Sequence, residues 1–580
     1  MLPAPPFVLL DDARPGGRPL LYRDPVEIVV ARTPAEVRPA LDRVRALVAA
    51  GHHLAGMLAY EAGFALDDRL APIACAGDPL LWFGAFPPPE DHPGEMAWPD
   101  PAGACASTPE PLVSRDAYGE AVATVQGLIA AGDIYQANLS FPARLRVCGH
   151  PAALYARLRA AAGAGWGALV ADGDRWLLSF SPEMFFTLEG GRLAARPMKG
   201  TSRRGHDARE DDALAAALAA DPKQRAENLM IVDLMRNDLA RVARAGSVRV
   251  PELFAVERYP TVLQMVSQIE ADLAPGRDAI DVLEALFPCG SITGAPKLRA
   301  MEAIAMVERA PRHAYTGAIG AFAPDGDARF NVAIRTIEWG EGKDEARLGL
   351  GSAIVSDSRA DAEWTECLQK AAFVSAALPA FDLVETLRFD PEEGLPDLER
   401  HIARLKASAQ ALGFAMDRHA LRNDLHAATF RRTAESRVRV RLSRSGAAAV
   451  EVTGVPPRPA GEVRVAIRPL PVDPSDVRLR HKTSDRGFYE EMRSATGRFE
   501  VIFTLPSGEI TEGSFTTVFV PDAEGRLRTP PLSLGLLPGV LRDRLIEEGR
   551  AYESLLTPAD LEGAFFVGNA LRGLIPARLG

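Results

Sequence analysis

The stretch Gly167–Met198, GALVADGDRWLLSFSPEMFFTLEGGRLAARPM, alternates apolar and polar residues and turns at Asp172-Gly173-Asp174 and at Glu189-Gly190-Gly191. A period of two sends successive side chains to opposite faces, so the stretch predicts consecutive antiparallel strands with a face against a core. One hairpin is marginal in water, so further strands have to join it. Helical spacing lies on either side. Val122, Val125 and Ile129 in SRDAYGEAVATVQGLIAAGDIYQANLS predict a helix ending at Gly132, and a second helix is predicted over about Arg209 to Ala243. The combination predicts an α+β fold.

With 580 residues the chain has room for about three or four domains. Three regions separate: 1–110, with short apolar runs; 111–377, with the helices and strands above; and 378–580. The Pro/Gly/Asp-rich stretch PPPEDHPGEMAWPDPAGACASTPEP reads as a loop or linker closing the first, and ALPAFD is a brief break before the third. No repeat of solenoid length is visible. A composition of 47% hydrophobic and 25% charged residues is that of an ordinary globular protein. No apolar run reaches the roughly 20 residues of a membrane helix, and MLPAPPFVLLDDARPGG lacks the basic start and apolar core of a signal peptide. Five cysteines without CxxC spacing predict reduced thiols and no structural zinc. A cytoplasmic protein is expected. A net charge of -11 argues against a nucleic-acid partner but leaves small anionic substrates open.

Within the second predicted helix, Glu227, Met230, Ile231 and Leu234 fall at i, i+3, i+4 and i+7, which places Glu227 on an apolar stripe. A carboxylate there needs a partner: a metal ion, a salt bridge, or water at a rim. Glu363, Glu366 and Lys370 of EWTECLQK form a second acidic stripe, either a solvated face or further metal ligands. Two such helices suit Mg²⁺, which takes one or two protein carboxylates and completes its shell with water and substrate oxygens. CGSITGAPK, packing Gly290, Thr293, Gly294 and Pro296 before a helix with Met301, Ile304 and Ala305, is a tight turn or an anion cradle of backbone N–H groups and a hydroxyl. Arg335 in FNVAIRTIEW, sharing a strand face with Ala333, is a surface charge or a bidentate carboxylate ligand.

GDIYQANLS, SPE, PMKGTSRRG, AENLMIVDLMRNDLARV, GSITGAPK, YTGAIG, NVAIRT, GSAIVSDS and EWTECLQKA, in this order, resemble the chorismate-utilising enzymes over about 113–377. The resemblance implies a sheet-sandwich α+β domain and Mg²⁺ bridging enzyme and chorismate carboxylate. Its metal ligands would be Glu227 and Glu366, with Glu363 close by or acting through water. Substrate contacts would fall to Gln136, Thr293, Gly294, Ala295, Tyr315, Arg335 and Gly351. Anthranilate synthases have a small residue where this chain has Lys199. A lysine there resembles aminodeoxychorismate synthase, in which it attacks C2 of chorismate as the C4 hydroxyl leaves, before ammonia displaces it at C4. Glu183 of SPE matches the general acid/base. Isochorismate and salicylate synthases carry a water-activating lysine in place of Gln136, which counts against hydration chemistry. Many relatives have histidine at Gln264.

FDLVETLRF, LERHIARLKASAQALGF, RHKTSDRGFYEEM, GEITEGSFTTVFV, LGLLPGVLRDRLIEEG and VGNALRGLIPA resemble the class IV aminotransferases and 4-amino-4-deoxychorismate lyases over about 380–580. The resemblance implies an aminotransferase-like α/β domain in which Lys482 carries pyridoxal 5'-phosphate (PLP) and Glu512 faces its pyridine nitrogen. Arg404 and the N–H groups of Val540 and Leu541 would hold the phosphate. Together the two resemblances imply a bifunctional route from chorismate to 4-aminobenzoate and pyruvate. The alternatives are a C-terminal transaminase for branched-chain or D-amino acids, which NALRGL matches less well, an inactive C-terminal docking module, or an anthranilate synthase component. No glutaminase signature is present, so ammonia would come from a separate glutamine amidotransferase.

Overall fold

The computed structural model describes residues 2–77, 79–91, 97–259 and 262–580. They form two units, the first of Met1–Trp98, Thr108–Leu145 and Tyr155–Ala376, the second of Pro99–Ser107, Arg146–Leu154 and Ala377–Gly580. No helix among the described residues is long and apolar enough to cross a membrane.

The first unit is a sandwich of two sheets, with eleven and ten strands among the described residues. The strand His53–Leu58 explains how both faces of one sheet are buried: Ala55 and Met57 point into the core between the sheets, while Leu54 and Leu58 point into a second core covered by helices. Leu81–Phe86 divides in the same way, with Trp82 and Phe86 inward and Leu81, Phe83 and Ala85 under the helices. The helix Pro34–Ala49 supplies Val37, Leu41 and Val44 to that second core.

Gly167–Met198 enters strands Trp166–Ala171, Arg175–Ser181, Met184–Glu189, Arg192–Ala195 and Met198–Arg203. The first two belong to the eleven-stranded sheet and the last three to the ten-stranded one, so the chain changes sheets at Pro182-Glu183. It changes back between Ala328–Val332 and Thr336–Gly340. Arg335 therefore does not lie on a continuous strand as the alternation of FNVAIRTIEW suggests. It sits in the crossover with a φ of 51°, because the chain must turn between two layers there.

The helix expected over Arg209 to Ala243 is two helices, Ala208–Ala220 and Pro222–Ala240. Asp221 accepts from the N–H groups of Lys223 and Gln224, and Pro222 occupies the first helical position, so the second helix starts afresh. The stripe also moves by one residue: Asn228, Ile231, Val232 and Met235 are buried, and Glu227 sits at its edge.

The second unit has a three-stranded sheet, Leu383–Phe389, Ser436–Leu442 and Ala448–Gly454, packed on helices Leu398–Leu412 and Arg418–Thr429. Its eight-stranded sheet is mixed, Val463–Pro469 lying parallel to both Glu500–Thr504 and Gly573–Leu579.

The proline-rich stretch expected to be a linker lies partly outside the described residues, at 92–96, but its later part is folded. Ala104, Cys105 and Ala106 are buried, and Cys105 belongs to the same core as Leu383, Leu405 and Val438. Asp100 accepts from the buried Arg478 at 2.5 Å, alongside Asp476 at 2.6 Å. Gly103 lies so close that a Cβ would stand 2.7 Å from Asp476 Oδ2. Asp100→Ala should therefore lower the melting temperature of the second unit by about 2–4 °C, the effect of losing about 1 kcal/mol of charge-assisted bonding. An unchanged melting curve would show that this stretch is not part of that unit.

Candidate active sites

The two crossovers of the first unit are bonded to each other. Val332 N–H donates to the Glu183 carbonyl at 3.1 Å, Phe180 N–H donates to the Arg335 carbonyl at 3.1 Å, and Ser181 Oγ donates to the Val332 carbonyl at 2.6 Å. The Glu183 side chain is thereby held inside, 4% exposed, where its carboxylate accepts from Ser291 Oγ at 2.7 Å. Burial pushes this carboxyl up to about 7, against the pull of the Ser291 hydroxyl, the Met198 N–H and the Lys199 charge.

Lys199 sits where the pairing of Met198–Arg203 with Val262–Asp272 slips between Met198 and Thr201. Gly200 takes φ 103° there, with Gln224 and Met265 too close for a side chain to relax easily. The helix Pro222–Ala240 grips the lysine at both ends. Asn228 Nδ2 donates to the Lys199 carbonyl at 3.1 Å, and Glu227 Oε2 lies 3.8 Å from Nζ. Asn228 Oδ1 in turn accepts from Ser267 Oγ at 2.6 Å, and Ser267 Oγ accepts from the Phe254 N–H. Burial lowers the Lys199 pKa against the opposing charge of Glu227. The charges of Lys370, Glu366 and Glu363 act on it as well, so all three acidic candidates lie within electrostatic reach of one amine.

The helix Ala360–Lys370 carries the other two carboxylates. Glu363 accepts from Ser358 Oγ at 2.7 Å. Burial raises the Glu366 carboxyl, but Lys370 at 2.8 Å outweighs it and holds the group below its ordinary value. Lys370 Nζ also donates to the Gly351 carbonyl at 2.9 Å. Gly351 leaves room for Ser140 and Tyr315, since a Cβ would lie 2.6 Å from Ser140 Oγ. Burial pushes the Tyr315 phenol up. Among the described residues no group of three or more His, Cys, Asp or Glu forms a metal cage. Glu227 and Glu366, each with an ammonium beside it, fit an ion that needs only two protein carboxylates.

The GSITGAPK segment makes a short helical turn Gly290–Ile292 and a bridge strand Gly294–Ala295, paired with Ala137 and Gln136, before the helix Lys297–Val307. The Thr293 hydroxyl donates to the Cys289 carbonyl at 3.1 Å, so it braces the turn. In that helix Ala303 is buried and Ala305 is exposed. Gln136 is fully buried and neither of its amide atoms has a partner. This is the open donor–acceptor pair of the site. Arg335 is held down by burial, and the acidic group acting on it is Tyr259, not one of the three carboxylates. Gln264 accepts from Thr201 Oγ1 at 2.9 Å.

A cavity of about 370 Å³ in the second unit is lined by Lys482, Glu512, Arg404, Val540 and Leu541. Lys482 lies between helices Val477–Arg480 and Gly487–Thr496, its carbonyl accepting from Val384 N–H at 2.8 Å. Burial pushes its amine down to about 7, with Glu385 opposing and Arg404, Arg486 and Arg439 assisting. Glu512 is pushed up to about 7 by burial, although Tyr489 Oη donates at 2.6 Å and Leu537 N–H at 3.2 Å. The Arg486 charge opposes the shift without direct contact, and a cation bound against the carboxylate would lower it further. The pyridinium of PLP is such a cation, and the donor set fits it. Arg404 forks onto Glu385 at 2.8 and 2.7 Å and donates to the Pro538 carbonyl at 2.9 Å, one residue before the Gly539 cap of Val540–Glu547.

Several site residues are not evident from the motifs alone. Asn228, Ser267 and Ser291 act on backbone or carboxylate atoms that only tertiary contacts bring close. Glu385 left a signal: it falls in phase with Leu383, Leu387 and Phe389, the core face of its strand, and its partners are Arg404 and His401 at 2.7 Å. Glu500, fully buried, accepts from Ser514 N–H and Oγ, Phe515 N–H and Thr516 Oγ1, which shapes the loop after Glu512.

Residues 95–376 match the chorismate binding enzyme model and residues 382–579 the amino-transferase class IV model. The first segment is thus a chorismate binding enzyme domain and the second an amino-transferase class IV domain. It is 40% identical over 312 residues to aminodeoxychorismate synthase component 1 of Bacillus subtilis (strain 168), covering 54% of this chain and 64% of that protein. It is also 40% identical over 316 residues to anthranilate synthase component 1 1 of Haloarcula marismortui, covering 54% of this chain and 60% of that protein. The chain thus spans less than two thirds of the length of both curated relatives. Anthranilate synthase component I from Streptococcus pneumoniae TIGR4 superposes with a TM-score of 0.54 at 25% identity, covering 64% of this chain and 94% of that one.

The raised Glu183 carboxyl carries a stability cost. Its pKa rises from an ordinary 4.5 to about 7, so the folded state binds the proton more tightly, and stability is lost as pH rises through that interval. Glu183→Gln keeps the Ser291 bond without the charge. Above pH 7 the first unit of this variant should be roughly 3 kcal/mol more stable than the parent, and the gain should vanish near pH 4. Thermal melts at the two pH values test this, and a gain independent of pH would contradict it.

Proposed function

We propose that the chain aminates chorismate at C4 through its first unit and releases pyruvate from the resulting 4-amino-4-deoxychorismate through its second, giving 4-aminobenzoate. Lys199 carries the first assignment. It is held by the Glu227-Asn228 pair, and burial favours its neutral, nucleophilic form. Glu183, titrating at about 7, can hold a proton at neutral pH and deliver it to the departing C4 hydroxyl. Lys199 would bond C2 as that hydroxyl leaves, and ammonia arriving at C4 would displace it. The unpartnered Gln136 amide would bind substrate, with Thr293, Gly294, Ala295, Tyr315, Arg335 and Gly351 completing the pocket.

Glu227 and Glu366 would hold Mg²⁺, with Glu363 close by or acting through water, and the chemistry supplied there would be neutralisation of a substrate carboxylate. Ammonia would come from a separate glutamine amidotransferase. In the second unit Lys482 would carry PLP, Glu512 would keep its ring nitrogen protonated, and Arg404 with the Val540 and Leu541 N–H groups would hold its phosphate. PLP, when bound, supplies an electron sink. Lys482, titrating at about 7, can take the C4 proton of the substrate at neutral pH; the C3–O bond then breaks, the ring becomes aromatic, and the departing enolate takes up one proton to become pyruvate. The matched anthranilate synthase keeps amination at C2 as a second reading; product identification from chorismate, Mg²⁺ and an ammonium salt separates the two.

Lys199→Ala should stop C4 amination, and Glu183→Gln should slow it by about 10²–10⁴-fold; a Lys199→Ala protein forming product at the parental rate would falsify the nucleophile assignment. Lys482→Ala should leave chorismate consumption intact and abolish pyruvate release, so that 4-amino-4-deoxychorismate accumulates. Continued 4-aminobenzoate formation at the parental rate, with no other lyase present, would remove the second unit from the reaction. Glu227→Gln and Glu366→Gln should each weaken the Mg²⁺ dependence of the first step alone, and parental titration curves for both would place the metal elsewhere.

A further inference from the structure

The cavity of the second unit holds more positive charge than a cofactor phosphate requires. Besides Lys482 and Arg404, it is lined by Arg437, Arg439, Arg486, Arg493 and Arg572, with Glu512 and the exposed Glu490 as the lining carboxylates. Arg404 is matched by Glu385, whereas none of the other five arginines forms an ion pair with a described residue. Three of them leave a buried nitrogen without a partner: Arg439 Nε, Arg486 Nη1 and Arg572 Nε. Unpaired buried donors of this kind are costly unless a ligand meets them.

They divide by position. Arg439 and Arg486 act on Lys482. Burial, Arg437 and Arg493 press on the Arg572 charge against the opposing pull of Glu500, and the guanidinium groups of Arg493 and Arg572 each lie 5.4 Å from the centre of the Phe515 ring. Arg437 reaches the cavity because the strand Ser436–Leu442 alternates: Val438, Val440 and Leu442 enter the core, and Arg437 and Arg439 face the other way. One hydrogen bond, to Thr453 Oγ1 at 3.1 Å, steadies Arg437.

We propose that Arg437, Arg493 and Arg572 around Phe515 form a carboxylate subsite distinct from the phosphate cradle at Arg404 and Val540, so that the cavity selects an amine bearing two carboxylates over an ordinary monocarboxylic amino acid. Guanidinium groups suit this task because their forked donors match a carboxylate and stay charged at any working pH. The Phe515 backbone is held by Glu500, which accepts its N–H at 3.1 Å. The inference rests on the reading of this cavity as a PLP site and names its substrate class.

The test uses the full chain loaded with PLP, titrated without ammonia by chorismate, which has two carboxylates and no amine, and by benzoate, which has one. The absorbance of bound PLP reports the second cavity alone. In Arg493→Gln/Arg572→Gln the half-saturating chorismate concentration should rise about tenfold or more, with the benzoate response and the bound PLP unchanged. Parental chorismate affinity in the variant overturns the subsite. Loss of bound PLP in place of chorismate affinity assigns the cluster to the phosphate and overturns it too. A parent protein that binds PLP but does not prefer chorismate to benzoate refutes the subsite only, while a parent without a PLP band refutes the reading beneath it.

Discussion

Val332 N–H on the Glu183 carbonyl ties together the two places where the chain passes between the sheets of the first unit. Without paired crossovers the sandwich would present only strand faces at that point, and strand faces there are filled by apolar side chains. The crossovers open a gap in which polar side chains can be held inside without breaking a ladder. Glu183 enters from one crossing and Arg335 ends the other, the latter in a backbone conformation that ordinary residues seldom adopt.

Once groups are held there, burial sets their chemistry. Burial pushes the Glu183 carboxyl up to about 7 despite a hydroxyl, a backbone N–H and the charges of two lysines. The same effect recurs in the second unit in opposite directions, pushing an amine down and a carboxyl up until both titrate at about 7. Groups so displaced can give and take protons at neutral pH. The cost falls on stability, and the surrounding bonds meet it: Asn228 and Ser267 fix the backbone at Lys199, and Glu500 organises the loop that follows Glu512.

The two units have different sheet arrangements, yet the surroundings of Lys199 and Lys482 follow one rule. Each buried lysine is placed by an irregular segment, a slipped strand pair for Lys199 and a short link between helices for Lys482. Each is bordered by a carboxylate and by further cations, so its charge is balanced from several elements at once.

The strands of Gly167–Met198, the helix ending near Gly132 and the two matched domains are legible in the residues alone. These are local periodicities or contiguous motifs, and both survive without knowledge of what packs against them. The sequence pattern misplaced the start of the helix bearing Glu227, because a proline inside a helical pattern can either kink a helix or open a new one, and only the Asp221 cap decides. It also read FNVAIRTIEW as one strand, since alternation continues across a change of sheet. The partners of Lys199, the orphaned Gln136 amide and the arginines around Phe515 were decided by tertiary structure alone. Each depends on groups distant in sequence meeting where water is excluded, and periodicity carries no record of that meeting.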